Sequence, residues 1–234
     1  MDKLFIIMPA YNEEKNITSV VEEWIKVVDK IGNDSKLLIV NDGSKDETEK
    51  VLSALSLIHP NLLTITKGNE GHGPTLLFGY KLALNSGADY VFQTDSDGQT
   101  TTDDFWKFWD DRDKFSAIFG KRPVRGDGKD RKFVENVLCF IIGIIFHIKV
   151  PDANAPFRLF EACKLNSYIM KIPEGFNLPN VLLTVMYVKY GEKTEFKPIT
   201  FRPRQAGVNS INIKKIVKIG MKAVKDFWDF RKVI

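Results

Sequence analysis

Asp95 and Asp97 stand one residue apart, followed by Gly98 and Gln99, at the end of the apolar run Tyr90-Val91-Phe92-Gln93-Thr94. Two carboxylates and an amide oxygen, placed where a buried strand opens into a loop, offer oxygen ligands to a hard divalent cation. Mg²⁺ or Mn²⁺ suits such a place, because each takes few protein ligands and completes its shell with substrate phosphates. The chemistry expected there is stabilisation of a diphosphate, the cation offsetting charge that develops on a departing oxygen. An Asp-x-Asp turn also occurs by chance in many loops, so its meaning depends on what the chain sets around it.

The elements that must position it are legible as alternating short apolar runs and longer helical patterns. Leu4–Met8, Leu37–Val40, Leu62–Thr66, Tyr90–Thr94 and Ser116–Gly120 read as strands. Ile17–Ile31, Asp46–Leu57, Pro74–Asn85 and Asp103–Asp111 read as helices; in the first, Val20, Val21, Trp24, Val27 and Val28 recur at helical spacing. This alternation predicts βαβ units, hence an α/β fold with a mostly parallel sheet covered by helices on both faces. Arg122–Lys132, rich in Gly, Arg and Lys, reads as a mobile loop.

Ligands of such sheets collect at the carboxyl ends of the strands. Four consecutive tips carry polar, acidic or glycine-rich residues: Pro9 to Glu14, Asn41 to Asp46, Lys67 to Gly73, and the Asp95 cluster. Each has a plain alternative, since Asn41-Asp42-Gly43-Ser44 makes an ordinary turn with Asp46 as a helix cap. Read together, they form one rim and one site. Asp42 is placed to accept hydrogen bonds from the N–H of a nucleobase, with Pro9 to Tyr11 flanking base or ribose; Glu13 either joins them or braces the loop. Gly71 and Gly73 let backbone approach a ligand and precede a helix whose N-terminus favours anions.

Ile6-Ile7-Met8-Pro9-Ala10-Tyr11-Asn12-Glu13-Glu14, Val40-Asn41-Asp42-Gly43-Ser44-Lys45-Asp46-Glu47-Thr48 and Asp95-Ser96-Asp97-Gly98-Gln99 resemble, in order and spacing, the motifs of family 2 glycosyltransferases of the GT-A fold. Within that family the chain is most similar to dolichyl- or polyprenyl-phosphate sugar synthases. The resemblance runs from Leu4 to about Lys218. It implies a Rossmann-like GT-A domain over residues 1–210 and a nucleotide-sugar donor bound by Pro9, Tyr11, Glu13, Asp42, Gly71, Asp95, Ser96 and Asp97. It also implies a metal at Asp95, Asp97 and Gln99, and an inverting transfer in which the acceptor attacks opposite the departing nucleoside diphosphate.

The second half bears on the acceptor. Pro151 to Phe160 resembles the family's Asp-x-x-Ser-Gly-Phe-Arg segment, and Arg202 to Ser210 its Arg-x-x-Gly-x-Ser segment. Arg122, Arg131 and Arg204 are expected to converge on acceptor phosphate, with Ser210 beside them, because the guanidinium fork binds phosphate oxygens bidentately. An acceptor hydroxyl would need a general base, and the segment from Pro173 to Val181 holds a carboxylate only at Glu174. A lipid phosphate needs none, so a polyprenyl phosphate is the expected acceptor and a glycan hydroxyl the alternative. Asp152 is either a base or a group that orients an arginine. His72 stands where the family often has Lys, and Asn154-Ala155-Pro156 replaces its Thr-Ser-Gly. The Gln-x-x-Arg-Trp signature of processive synthases is absent, which favours a single transfer per encounter.

Composition bounds the rest. The 234 residues are 44% hydrophobic and 27% charged with a net charge of +4, which suits a globular domain and gives no case for nucleic acid. Cys139 and Cys163 lack metal-ligand spacing and are expected as buried thiols in a reducing compartment. No leader is expected at the N-terminus. Val137–Ile148 is apolar all round yet too short to span a bilayer; it reads either as a core helix or as one that touches a membrane. Residues 211–234 read as a basic amphipathic helix, with Lys214, Lys215, Lys218, Lys222 and Lys225 among Val224, Phe227 and Trp228. Such a helix lies on an anionic surface or packs on its own domain. The expectation is a peripheral enzyme at the cytoplasmic face of a membrane, with a separate transmembrane partner in play. Pro9 to Glu14 contains no glycine, which excludes a dinucleotide fingerprint at this turn. A non-catalytic nucleotide-sugar-binding subunit is the reading outside enzymes, and the intact Asp95, Asp97 and Gln99 speak against it.

Overall fold

The computed structural model describes residues 2–123, 129–203 and 213–234, with the side chains of 129–131 and 213–221 outside that description. Seven strands form one sheet in the order β3-β2-β1-β4-β6-β5-β7. They are β1 (Leu4–Ala10), β2 (Lys36–Asn41), β3 (Leu62–Thr66), β4 (Tyr90–Thr94), β5 (Ala117–Lys121), β6 (Phe157–Glu161) and β7 (Thr194–Pro198). All neighbours run parallel except β6, which pairs antiparallel with both β4 and β5. The expected mostly parallel sheet flanked by helices is what the chain builds.

The uniform apolarity of the first strands follows from their double coverage. In β1, Phe5 and Ile7 enter one core layer while Leu4, Ile6 and Met8 enter the other, as a side-chain period of two dictates. The second layer lies under α1 (Ile17–Ile31), α2 (Thr48–Ile58) and α4 (Thr102–Trp109). Trp24, Phe92, Phe105 and Phe157 meet there with ring centroids 4.6–6.1 Å apart. The first layer is covered by α3 (His72–Asn85), α5 (Lys129–Phe146), α6 (Ala162–Ile169), α7 (Pro179–Lys189) and α8 (Ile213–Phe230).

Several boundaries differ from the sequence reading. Helix α2 begins at Thr48 because the Asp46 carboxylate accepts from Thr48 N–H at 3.0 Å and its hydroxyl at 2.5 Å, capping the helix from outside. Helix α3 begins at His72, with Pro74 tolerated in a first turn that has no N–H partner to lose. The stretch read as a loop from Arg122 to Lys132 turns helical at Lys129. Of the two readings for Val137–Ile148, core contact holds for one face only. Ile142, Ile145 and Phe146 are buried, while Phe133, Phe140 and Ile144 are exposed. Cys163 is exposed rather than buried and Cys139 is half-buried; both are free thiols.

The C-terminal helix packs on the domain through Ala223, Phe227 and Phe230, with the Phe227 ring 6.2 Å from Phe146 and 6.3 Å from Phe176. Val224, Lys222, Lys225 and Trp228 face outward. The expected division at residues 210–211, and Lys214, Lys215 and Lys218 as side chains, lie outside the described residues. Among the described residues, no helix is long and apolar enough to cross a membrane.

Candidate active site

The carboxyl ends of β1, β2, β3 and β4 open onto one cleft of about 360 Å³. Its lining includes Pro9, Tyr11, Glu13, Asp42, Gly71, Asp95, Ser96 and Asp97, the whole set expected at the donor, together with Ala10, Asn69, His72 and Thr75. Neighbouring tips are stitched to each other. Asn12, at φ +55°, donates its N–H to the Ser44 hydroxyl at 2.9 Å and accepts from Lys45 N–H at 2.8 Å. The Ser96 hydroxyl donates to Pro9 O at 2.8 Å, which fixes the acidic turn to the tip of β1.

Asp42 is held from three sides. It accepts from the N–H groups of Glu70 and Gly71 at 2.9 and 2.8 Å and from Lys67 Nζ at 3.0 Å. Burial alone would raise its pKa; the Glu70 N–H, Lys67, Thr75 and the Gly71 N–H outweigh that and hold it below the usual carboxylate range. Sequence reasoning assigned Asp42 to a nucleobase and missed this tie, in which Asp42 and Lys67 close the gap between the tips of β2 and β3. The carboxylate still lines the cleft, and each of its oxygens has more than one lone pair to offer. The turn depends on Gly43 at φ +62°, where a Cβ would come within 2.9 Å of Asn69 N.

Glu13 lines the cleft and also braces the loop. Its carbonyl accepts from the N–H groups of Asn16 and Ile17, both at 2.9 Å, which starts α1, and its carboxylate accepts from Asn16 Nδ2 at 2.7 Å. Gly73 was expected to let backbone approach a ligand. It is instead approached by the chain itself: a Cβ there would lie 2.3 Å from Phe176 O and 2.5 Å from Asn177 O. Gly71, at φ +95°, does line the cleft and donates to Asp42.

At the acidic turn, Asp97 Oδ1 accepts from Gln99 N–H at 3.1 Å, and Asp95 Oδ1 lies 3.4 Å from Gln93 Nε2 and 4.0 Å from His72 Nε2. Gln99 is buried beside the cleft; its Nε2 donates to Arg202 O at 2.8 Å, leaving Oε1 as the oxygen it can offer. The described residues contain no group of three or more His, Cys, Asp or Glu able to hold a metal unaided. A pair of carboxylates with one amide oxygen fits Mg²⁺ or Mn²⁺ that draws its remaining ligands from substrate phosphate and water.

The acceptor side departs further from expectation. Arg122, at the end of β5, is held bidentately by Asp152, Nε to Oδ2 at 2.8 Å and Nη2 to Oδ1 at 2.9 Å, and its Nη2 lies 3.4 Å from Glu135 Oε2. Only 6% of this side chain is exposed, so the expected open phosphate ligand is a guanidinium already matched by carboxylates. Asp152 orients Arg122 in this structure; burial would raise its pKa, but Arg122 holds it down. Arg131 lies on α5 with its side chain outside the described residues, and Arg204 and Ser210 lie outside them altogether.

Sequence reasoning gave no role to Arg158, which is fully buried in β6. Its guanidinium donates to Ala155 O, Asn180 O, Ala153 O and the Thr184 hydroxyl at 2.6–2.8 Å. Desolvation lowers its pKa to about 10, opposed by Tyr80 and Asp152, and it stays charged at neutral pH. The Asn180 side chain then links Tyr80 and Gln93, whose Nε2 reaches toward Asp95. One buried polar chain thus runs from the acceptor loop to the acidic turn.

The sequence pattern of glycosyl transferase family 2 matches residues 5–165. A UDP-N-acetylglucosamine–dolichyl-phosphate N-acetylglucosaminyltransferase of Methanococcus voltae is 36% identical over 70% of this chain and 72% of its own length. A dolichyl-phosphate beta-glucosyltransferase of Trichomonas vaginalis is 28% identical over 68% of the chain, which spans only 54% of that relative. Glucosyl-3-phosphoglycerate synthase of Mycobacterium tuberculosis, solved with Mn²⁺, UDP and phosphoglyceric acid, shares the fold at a TM-score of 0.73 and 14% identity, over 98% of this chain and 78% of that one. The architecture is GT-A. The chain belongs to glycosyl transferase family 2 and is a glycosyltransferase.

Proposed function

We propose that this glycosyltransferase moves one sugar, with inversion, from a UDP- or GDP-sugar to a polyprenyl or dolichyl phosphate at a membrane surface. The observation that carries the reading is the single cleft in which Asp95 and Asp97 share a rim with Pro9, Tyr11 and Asp42. In this reading the nucleoside lies along the β1 and β2 tips and the diphosphate ends at the two carboxylates. Asp95, Asp97 and Gln99 would hold Mg²⁺ or Mn²⁺, which supplies charge neutralisation for the leaving diphosphate. The acceptor oxygen forms its bond to the anomeric carbon on the face opposite the diphosphate; the bond to the diphosphate oxygen breaks, and nucleoside diphosphate leaves.

The acceptor class follows from proton bookkeeping. Asp152 is bound up with Arg122 and its pKa is lowered, so it is a weak proton acceptor for a hydroxyl. A phosphate monoester brings its own anionic oxygen and asks for no base. The dolichyl-phosphate acceptors in the names of the Methanococcus and Trichomonas relatives support the same reading. Membrane contact is supported by Phe133, Phe140 and Ile144 on the open face of α5 and by Trp228 beside exposed Lys222 and Lys225 on α8. Peripheral placement at the cytoplasmic face, with or without a transmembrane partner, belongs to the same proposal.

The test is direct. Purified protein with Mn²⁺ or Mg²⁺ and a panel of labelled UDP- and GDP-sugars is offered polyprenyl phosphate in vesicles or glycan acceptors. Metal-dependent label on the lipid is expected; label confined to glycans would replace the acceptor assignment.

A further inference from the structure

Gln93 is a fully buried amide near the end of β4, where a strand this apolar has no packing need for one. It shares a strand face with Val91 and so enters the layer covered by α3 and α7. Arg158 stands opposite it in the β4–β6 ladder, yet gives its hydrogen bonds to Ala153 O, Ala155 O, Asn180 O and Thr184. What meets Gln93 is the Asn180 side chain, whose Nδ2 donates to Gln93 Oε1 at 3.1 Å. Asn180 Oδ1 accepts from the Tyr80 hydroxyl at 3.2 Å, and Gln93 Nε2 donates to Asp95 Oδ1 at 3.4 Å. Tyr80, Asn180 and Gln93 are all buried, whereas Asp95 lines the donor cleft.

Polar side chains in an apolar layer are costly unless each is paired, and here each is paired with the next. The sense of the chain is set from both ends. An ionised Asp95 only accepts, so Gln93 must turn its NH2 toward that carboxylate and its oxygen toward Asn180. Burial pushes the Tyr80 pKa well up, so its hydroxyl keeps the proton that the Asn180 oxygen accepts. Turning either amide alone would set like atoms against each other. Turning both would still set the Gln93 oxygen against the Asp95 carboxylate. A neutral amide donor aims a carboxylate without neutralising it, which is what a cation site asks of its support.

We infer that Gln93, aimed by Asn180 and Tyr80, is a positioning residue for Asp95 and fixes the direction in which that carboxylate meets the divalent cation. Its action runs through Asp95 and needs no contact with substrate. Arg158 anchors only the main-chain oxygen of Asn180, so the aim is set by the three side chains that begin at Tyr80. The inference rests on the metal-dependent donor reading above.

Titration of the full chain with Mn²⁺ in the presence of UDP or GDP, free ion being read by its electron paramagnetic resonance signal, tests it. Gln93→Met keeps the bulk, removes the donor, and is expected to weaken Mn²⁺ binding about tenfold. Tyr80→Phe removes one oxygen two amides away from Asp95; about threefold weaker binding is expected, and this variant serves if Gln93→Met does not fold. The double variant should bind Mn²⁺ no more weakly than Gln93→Met, because both changes act on one link. Binding of UDP or GDP without metal should stay within about twofold in every variant, which separates the aim of Asp95 from a general loosening of the cleft. Folded variants with wild-type Mn²⁺ affinity, even at a lowered melting temperature, would overturn the role of Gln93 and leave the metal reading standing. A wild-type chain that binds UDP or GDP but takes up no Mn²⁺ would overturn both.

Discussion

The donor rim and the acceptor flank sit at the same end of one sheet and hold their charges with different shares of backbone donors and ion pairs. On the donor rim, Asp42 accepts from the backbone N–H groups of Glu70 and Gly71 as well as from Lys67, and Asp97 accepts from that of Gln99. On the acceptor flank, Arg122 is fixed by Asp152 and Glu135, charge against charge. Backbone donors orient a carboxylate without cancelling it, so its remaining lone pairs face a ligand at full charge. Charge pairs orient and cancel together, so a ligand must compete. The first arrangement suits a substrate recognised in one fixed pose; the second suits one whose arrival is also a displacement.

The largest effect should come from the donor rim. Asp97→Ala is expected to lower metal-dependent release of nucleoside diphosphate about a thousandfold, several kcal/mol of barrier, with the melting temperature almost unchanged. A comparable loss of stability would mean that the acidic turn is part of the frame rather than a ligand set, and the contrast between the two regions would fail.

Arg158→Met comes next, and it acts on the acceptor flank. It strips the Ala153 and Ala155 carbonyls, Asn180 O and Thr184 of a buried charged donor, and should cost about 3 kcal/mol in urea unfolding. Donor nucleotide affinity, measured below the unfolding transition, should stay within about threefold. A larger shift would show that the Arg158–Asn180–Gln93 chain carries strain to Asp95 and that the regions are less separate than their chemistry suggests.

Asp42→Asn sharpens the donor side. The native pKa of Asp42 is lowered, so its contribution is present above the unfolded value of about 3.9 and is lost as pH falls through the lower native value. The variant should therefore be less stable than wild type by about 1–2 kcal/mol near pH 7 and approach it in strong acid. A difference constant across that window would mean that Lys67 and the two amides do not favour the ionised form. The smallest effect is expected at Tyr187 on α7, whose buried hydroxyl has no hydrogen-bond partner among the described residues. Tyr187→Phe should be neutral or stabilising by about 1 kcal/mol in the same unfolding assay.

The two regions also differ in how much of them can be read from the sequence. Strands β1 to β4 are uniform apolar runs ending in polar tips, so the donor rim follows from topology once the βαβ alternation is seen. The acceptor flank hides its elements. Strand β6 carries Arg158 as its second residue, which breaks the apolar run, and β7 is a half-buried edge strand with Glu195 and Lys197. Helix α7 is buried on all sides from Pro179 to Tyr187, so it shows no amphipathic stripe. The Arg122–Asp152–Glu135 cluster joins a strand end, a helix and a loop, and no local spacing announces it. Lys67 was within reach: it ends β3 as Asp42 follows β2, and opposite charges on adjacent parallel tips are a usable signal.

Strand β6 also has a bearing on how such a protein can be altered. Because it alone runs backwards, the loop entering it, 150–156, arrives beside the loop leaving β4, and two stretches of chain more than fifty residues apart face each other across a ladder of five paired residues from Tyr90 to Thr94. The cleft-lining tips of β1 to β3 come before that seam, the acidic turn 95–99 follows it directly, and Arg122 and Asp152 come later in the chain. A chimaera that takes residues up to β4 from one parent and the remainder from another must match those five pairs, the aromatic cluster beneath them, the packing of α3 on α6 and α7, and the bonds of Asn180 to Tyr80 and Gln93.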